Sequence, residues 1–118
     1  MQLDTTKKGL EAIFEPWQVP LVDELFERDI KSGEAHKFLE NKGIKTHPDA
    51  KNTVSRASVI GFLNHLVDEE LLSYTEVSGK GGFGKKYKMT HTREAFNHRI
   101  IDLFVDTLRT AFPKEMRP

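Results

Sequence analysis

The sequence contains no cysteine, which excludes disulfides, zinc–thiolate sites and thiol nucleophiles together. No apolar run approaches the roughly 18 residues that a membrane-spanning helix needs. Residues 1–8 also lack the apolar stretch of a secretory signal. These absences favour a protein that works in a reducing compartment, and we expect it to be cytoplasmic and without a membrane partner.

The chain also has no net charge, because 18 lysines and arginines balance 18 acids. The charge is nevertheless segregated along the sequence. Residues 42–58 carry four basic residues against one acid, and residues 78–93 carry five basic residues and no acid. The local field, rather than the total charge, decides whether a polyanion is attracted. Nucleic acid therefore stays among the expected partners.

The length of 118 residues fits one domain with its own core, so residues 1–118 are read as a single domain. Apolar spacing and turn signals predict the following order. A short helix lies within residues 5–15, a helix follows Pro20, and another begins with Ser32 as its N-cap and ends at Gly43. A loop then covers residues 45–52.

The second half of the chain begins with the most regular predicted helix, which Ser55 caps and which runs to about Glu70. Two strands follow, over residues 72–77 and 85–90, joined by a glycine-rich connection. A long helix then runs from Thr90 or Thr92 to about Phe112. The fold class is therefore α+β and mostly helical.

The glycine-rich connection matches the spacing of a phosphate-binding loop from Gly79 to Lys85. Lys86 stands where that loop needs a serine or threonine, and a strand rather than a helix follows. We therefore interpret it as a hairpin tip. The five histidines show no metal-ligand spacing. We expect no enzymatic activity, no catalytic residue, no metal and no cofactor.

The two basic segments favour a nucleic-acid interface, because their positive charge falls on a helix and a hairpin that could both contact DNA. The helix after Ser55 leaves small and polar residues outside its apolar stripe, so it can approach a DNA groove closely. The lysines around the glycine-rich tip suit contact with the phosphate backbone. The alternative is that these lysines only keep an edge hairpin soluble.

The order of these elements resembles winged helix-turn-helix transcriptional regulators. The penicillinase-repressor family is the most similar, and PadR-like and MarR-like regulators follow. Residues 17–26 look like the first helix of that family, residues 32–39 like its positioning helix, and residues 55–72 like its recognition helix and the turn after it. Residues 87–90 are similar to the end of its second wing strand.

The resemblance implies a winged helix, with a three-helix core and a two-stranded β wing over residues 16–90. It also implies a dimerisation helix over residues 91–112, with residues 1–15 as an N-terminal extension. The loop 45–52 is longer than the family's usual turn, and the family's separate dimerisation domain is replaced by one helix.

The implied function is sequence-specific binding of double-stranded DNA by a homodimeric transcriptional regulator, with repression favoured and a near-palindromic operator expected. Three sets of site residues follow. The recognition helix contributes Ser55, Arg56, Ala57, Ser58, Gly61, Asn64 and His65. The wing contributes Lys80, Gly82, Phe83, Lys85 and Lys86. The dimer interface, a line of apolar residues at i, i+4 spacing with its neighbours, contributes Phe96, Ile100, Ile101, Phe104, Val105, Leu108 and Phe112.

Two other functions remain open from the sequence. A winged helix can serve as a protein–protein interaction module, which would show little dependence on salt when tested against duplex DNA. It can also bind RNA, although the predicted recognition helix lacks exposed aromatic residues for base stacking. A small-molecule effector is not identified.

Overall fold

The computed structural model of the chain describes residues 1–79 and 82–117. It confirms an α+β fold in which helices dominate and one three-stranded antiparallel sheet is present. In chain order the elements are a 3-10 turn (Gly9–Ala12), α1 (Gln18–Glu27), β1 (Ile30–Lys31), α2 (Ser32–Asn41), α3 (Arg56–Asp68), β2 (Leu72–Gly79), β3 (Gly82–Met89) and α4 (Arg93–Ala111).

The starts of α3 and α4 agree with the sequence prediction because hydroxyl side chains cap them. Ser55 Oγ accepts a hydrogen bond from the backbone N–H of Ser58, and Thr92 Oγ1 accepts one from that of Ala95. Each bond satisfies one of the four N–H groups that an α-helix leaves without a partner at its start. These caps therefore set the residues at which the two helices begin.

The start of α2 differs from the prediction by one residue. Ser32 is the first helical residue, and Lys31 occupies the cap position instead. The backbone N–H of Lys31 donates to Glu34 Oε1 at 2.9 Å, so a carboxylate from inside the first turn does the capping. The opening helix expected within residues 5–15 is only the four-residue 3-10 turn.

The ends of α2 and α3 share one backbone motif. Gly43 follows α2 with φ +67°, and the N–H of Ile44 donates to the carbonyl of Leu39. Glu70 follows α3 with φ +61°, and the N–H of Leu71 donates to the carbonyl of Leu66. Both are Schellman-type ends, and the one after α3 places a non-glycine residue in the left-handed region.

The sheet has the order β1-β3-β2, so the last strand in the sequence is the central one. The β2–β3 pairing runs from Leu72 opposite Met89 to Gly79 opposite Gly82. The strands therefore extend into the glycine-rich segment that the sequence assigned to the connection. The predicted two-stranded hairpin is present, and β1 adds a third strand that the sequence did not predict: Ile30 pairs with Tyr87, and Lys31 with Lys86.

One apolar core joins all parts of the described chain. It includes Phe14 from before α1 as well as Phe96 and Ile100 from α4, beyond both ends of the 16–90 segment. The Phe14 ring packs edge-on against Phe62 with centroids 5.6 Å apart, and it lies 6.3 Å from the Phe96 ring. No helix in the described residues is both long and apolar enough to cross a membrane.

Candidate nucleic-acid interface

Helix α3 has one face in the core and one face in solvent. Val59, Leu63 and Leu66 are fully buried, and Phe62 is nearly so. The opposite face is exposed, as the sequence predicted for most of its candidate residues. The exposed residues, with the cap included, are Ser55, Arg56, Ala57, Ser58, Gly61 and His65.

Gly61 lies in the middle of this exposed face. A Cβ atom built at this position would meet nothing within 4 Å, so packing inside the chain does not require a glycine here. Glycine in a helix interior costs about 1 kcal/mol of stability relative to alanine. Gly61 therefore lowers the stability of α3, and no close contact at this position compensates for the loss.

The first turn of α3 carries the polar groups of this face. The Ser55 hydroxyl lies 3.0 Å from Ser58 Oγ, so these two side chains hold each other in place. Arg56 forms no ion pair with any carboxylate of the described residues. Its guanidinium passes close to Gly33, near the start of α2. Its donors therefore remain available to an outside acceptor.

The sequence predicted Asn64 on the exposed face of α3, but the structure does not place it there. Its Oδ1 accepts a hydrogen bond from the Tyr87 hydroxyl at 2.7 Å and another from Lys85 Nζ at 3.3 Å. The side chain of Asn64 therefore ties α3 to the central strand. It is half-buried, and both lone-pair directions of its carbonyl oxygen are in use.

Two tyrosines complete this junction between α3 and the hairpin. Lys85 Nζ lies over the ring of Tyr74, 4.4 Å from its centroid, and the Tyr74 and Tyr87 rings are 6.4 Å apart. Tyr87 is almost fully buried. Burial, with a smaller contribution from Tyr74, raises the pKa of the Tyr87 phenol above its ordinary value of 10.0. The phenol therefore stays protonated at neutral pH and can donate to Asn64.

The predicted wing lysines fall on two different faces of the sheet. Successive side chains of a strand point to opposite sides, so Lys85 lies on the side of Tyr87 and α3, whereas Lys86 points away. Lys80 lies outside the described residues. Gly82 and Phe83 pair through their backbones in β3, and the Phe83 side chain is outside the described part.

The predicted dimer line along α4 is divided by the structure. Phe96 and Ile100 are buried within this chain, so they are not available to a partner. An α-helix has 3.6 residues per turn, so each step of four residues overshoots by about 40°. After four such steps Phe112 is turned about 160° away from Phe96. The two ends of the line therefore face different surroundings.

The rest of the line forms a surface stripe. Ile101 is 55% exposed, Leu108 43% and Phe112 54%, and Phe104 and Val105 are half-buried. An apolar groove of about 380 Å³ lies between Phe104 and Val105 on one side and Leu10 and Ile13 on the other. We call the stripe and its groove the α4 apolar surface.

In the part of the chain that the structure describes, no group of three or more histidine, aspartate or glutamate side chains could hold a metal ion. No protein-family model matches the chain, and no curated protein sequence matches it either. The interpretation of this surface therefore depends on its own geometry.

Sequence reasoning missed Tyr74 and Tyr87 as the residues that fix the hairpin against α3. The sequence did contain a signal for Tyr87. It is the one apolar residue between Lys85 and Lys88, so its side chain was expected on the inward side of the strand. No comparable signal marked Asn64, whose partners lie more than 20 residues away in the sequence.

Proposed function

We propose that this chain is a winged-helix protein that binds double-stranded DNA sequence-specifically and acts as a homodimeric transcriptional regulator, with repression favoured. Binding rather than catalysis is its proposed role. The order of elements supports the assignment, with α2 as positioning helix, α3 as recognition helix and the β2–β3 hairpin as wing. In helix-turn-helix proteins the second of the two helices enters the major groove.

The observation that carries this proposal is Gly61 on the open face of α3. A helix that enters the major groove must bring its backbone close to the base edges. Glycine at position 61 and alanine at position 57 leave room for that approach. A docked duplex supplies the reason for a glycine that nothing inside the chain requires.

The charged and polar groups around Gly61 have suitable chemistry. Arg56 is at the N-terminal end of α3, where recognition helices contact bases, and a guanidinium can donate two hydrogen bonds to guanine. Ser58 and His65 offer further hydrogen-bonding groups on the same face. Lys85, held by Asn64 beside the helix, can contact a phosphate.

The α4 apolar surface supports the homodimer. Its exposed stripe of Ile101, Leu108 and Phe112 continues into the groove, and soluble monomers rarely leave such a patch uncovered. A second copy of α4 packed antiparallel would cover it. That packing also brings Arg109 of each copy near Asp102 of the other, because the two residues flank the centre of the stripe.

A two-fold pair of recognition helices reads two half-sites related by the same symmetry. Their centres lie about one DNA turn apart, roughly 34 Å, or a multiple of this distance. The operator is therefore expected to be near-palindromic. DNA affinity and dimer affinity should be coupled, because each half-site alone provides only one set of contacts.

The first test selects bound sequences from a random duplex pool and then measures affinity by mobility shift. Gly61→Glu should abolish selective binding, because it adds bulk and negative charge where the groove would lie. Ala95→Glu is the matched control: it adds the same charge at an exposed position of α4 and should bind like the wild type. Normal selective binding by Gly61→Glu would exclude α3 as the recognition helix.

Arg56→Ala should weaken selective binding by about 1–3 kcal/mol if the guanidinium reads a base. If Arg56 contacts a phosphate instead, all sequences should weaken alike, and the slope of log affinity against log salt should become shallower by about 0.9 for each half-site of the dimer. An unchanged affinity together with an unchanged circular dichroism spectrum would remove Arg56 from the interface.

Sedimentation equilibrium tests the dimer. The wild type should sediment as twice 13.5 kDa at micromolar concentration. Leu108→Asp should shift it towards the monomer, whereas Thr110→Asp, an equal change of charge two residues away, should not. A wild type that stays at 13.5 kDa would refute the homodimer, and equal behaviour of the two variants would place the interface elsewhere.

A further inference from the structure

The three-stranded sheet has a second face that the recognition helix does not cover. Tyr87 and Met89 point towards the helices, so the residues between and beside them point away. The pairing places five polar side chains on this outward side. They are Lys31 of β1, Lys86 and Lys88 of β3, and Ser73 and Thr75 of β2. We call this set the outer lysine face.

The register makes this face strongly basic. Lys31 lies directly opposite Lys86, and residues in that relation have their Cβ atoms about 4.5–5.5 Å apart. Lys88 follows two residues later on the same side of β3, about 7 Å along the strand. Like charges placed directly opposite each other destabilise a sheet. The three lysines therefore lower the stability of the sheet as long as no partner neutralises their charge.

Among the described residues of the three strands, no acid on this face compensates for the charge. Glu76 is the only acid in the three strands, and it lies opposite Lys85, on the side of α3. Among the described residues none of these three lysines forms an ion pair. In the β2–β3 pairing Ser73 lies opposite Lys88, and Thr75 lies opposite Lys86, so two of the lysines have a hydroxyl residue as their cross-strand neighbour.

We propose that the outer lysine face binds the phosphate backbone of a second duplex DNA segment while α3 holds the first. Ammonium and hydroxyl groups suit phosphate oxygens, and the face has no aromatic or amide group with which to read bases. It points away from α3, so a duplex docked on α3 leaves it open. This inference rests on the proposed function, since the first segment is the one bound by α3.

Binding here is independent of sequence and steep in salt. Each phosphate contact releases condensed counterions, which gives a slope of about 0.9 in log affinity per contact. Three lysines therefore predict a slope of about 2.7 for the second segment. One protein would then bring two stretches of DNA together without reading the second.

The experiment measures capture of a second duplex. An immobilised duplex carrying the selected operator is loaded with the 118-residue chain, and a labelled random-sequence duplex is added at low salt. The wild type should retain the labelled duplex. Lys31→Gln combined with Lys86→Gln and Lys88→Gln should lower this capture at least tenfold, while loading on the operator changes less than twofold.

The matched control replaces Lys7, Lys8 and Lys114 by Gln, which removes the same charge from exposed positions away from the sheet. Capture by this control should equal that of the wild type. An equal loss in both triple variants would overturn the proposal, because total charge alone would then explain capture. Operator loading without capture by the wild type would also overturn it and leave the α3 interface intact.

A competitor separates nucleic acid from an acidic polypeptide. Polyglutamate added at the same concentration of negative charge should displace the labelled duplex only weakly. Displacement as strong as that by unlabelled duplex would overturn the proposal in favour of a protein-docking face. If the protein never loads on any operator, the proposed function fails. In that case Gly61→Glu is compared with a variant that also carries the three lysine substitutions of the sheet. If Gly61→Glu binds random duplex and the combined variant does not, phosphate binding by the sheet is still supported.

Discussion

Helices α3 and α4 begin alike and end differently. Each is capped by a hydroxyl side chain, and each has an apolar side of several residues. α3 buries Val59, Phe62, Leu63 and Leu66 inside the chain, so the side left for a partner is mainly small and polar. α4 buries only its first half and exposes apolar residues in its second half. The comparison indicates a polar partner for α3 and an apolar partner for α4.

The largest effect is expected when the same substitution, phenylalanine to alanine, is made near each end of α4. Phe96→Ala should lower the free energy of unfolding by about 3–5 kcal/mol, because it empties a fully buried site in contact with Phe14 and Phe26. Phe112→Ala should change the stability of the monomer by less than about 0.5 kcal/mol. Urea unfolding at a concentration where the protein is monomeric measures both. Similar losses would mean that the two halves do not differ.

The next effect tests how α3 is held to the sheet. Tyr87→Phe removes the donor to Asn64 and should cost about 1–3 kcal/mol. The raised pKa of the Tyr87 phenol adds a pH dependence. Its contribution to stability is complete below pH 10, the pKa of the unfolded state, and is lost as the pH rises towards the higher folded value.

Unfolding followed from pH 8 to pH 11 measures this dependence. The wild type should lose stability above pH 10, and Tyr87→Phe should lose less over the same range. Tyr74→Phe is the comparison: it leaves the hydrogen bond from Tyr87 to Asn64 in place and removes only the smaller contribution to the raised pKa of Tyr87, so it should still lose stability above pH 10. An identical decline in the wild type and Tyr87→Phe would show that the phenol is not the group responsible.

A smaller effect tests the shared start of the two helices. Ser55→Ala and Thr92→Ala should each lower stability by about 1 kcal/mol, because each leaves a helix N–H without its side-chain acceptor. Thermal unfolding followed by circular dichroism measures both. A loss of stability in only one of the two variants would contradict the expectation that the two caps stabilise their helices equally.

The smallest effect has the opposite sign. Gly61→Ala should stabilise the protein by somewhat less than about 1 kcal/mol, because alanine is the better helix former and the space is open. The same variant should bind the operator less tightly than the wild type if the groove approaches position 61. Higher stability with unchanged DNA affinity would remove Gly61 from the proposed contact.

The sequence predicted the local parts of this fold well. Ser55 and Thr92 are strong capping residues, Gly43 takes the left-handed conformation after α2, and the hairpin follows α3 as expected. Each of these signals acts over a few residues, so the sequence alone carries it. The two-residue strand β1 was missed because Ile30 and Lys31 are too short a segment to show a periodic pattern.

The candidate site was less predictable because it depends on distant contacts. Arg56, Gly61 and His65 are exposed as predicted. The period of α3 places Gly61 and His65 opposite its apolar residues, and Arg56 lies in the exposed first turn. Asn64 was assigned to the surface because its polar character says nothing about a tyrosine 23 residues away. The lysines were treated as one group because only the strand register separates Lys85 from Lys86.

The central position of β3 has a consequence for folding. Because β3 follows all of the helices except α4, the pairing of the sheet cannot be completed until the chain has been made as far as Met89. Until then Ile30 and Leu72 lack their partners on that strand. Closing such distant contacts slows folding, since the chain must give up entropy before the pairing returns any energy. The contact between Ile30 and Tyr87 is therefore the sheet pairing that we expect to limit the rate of folding.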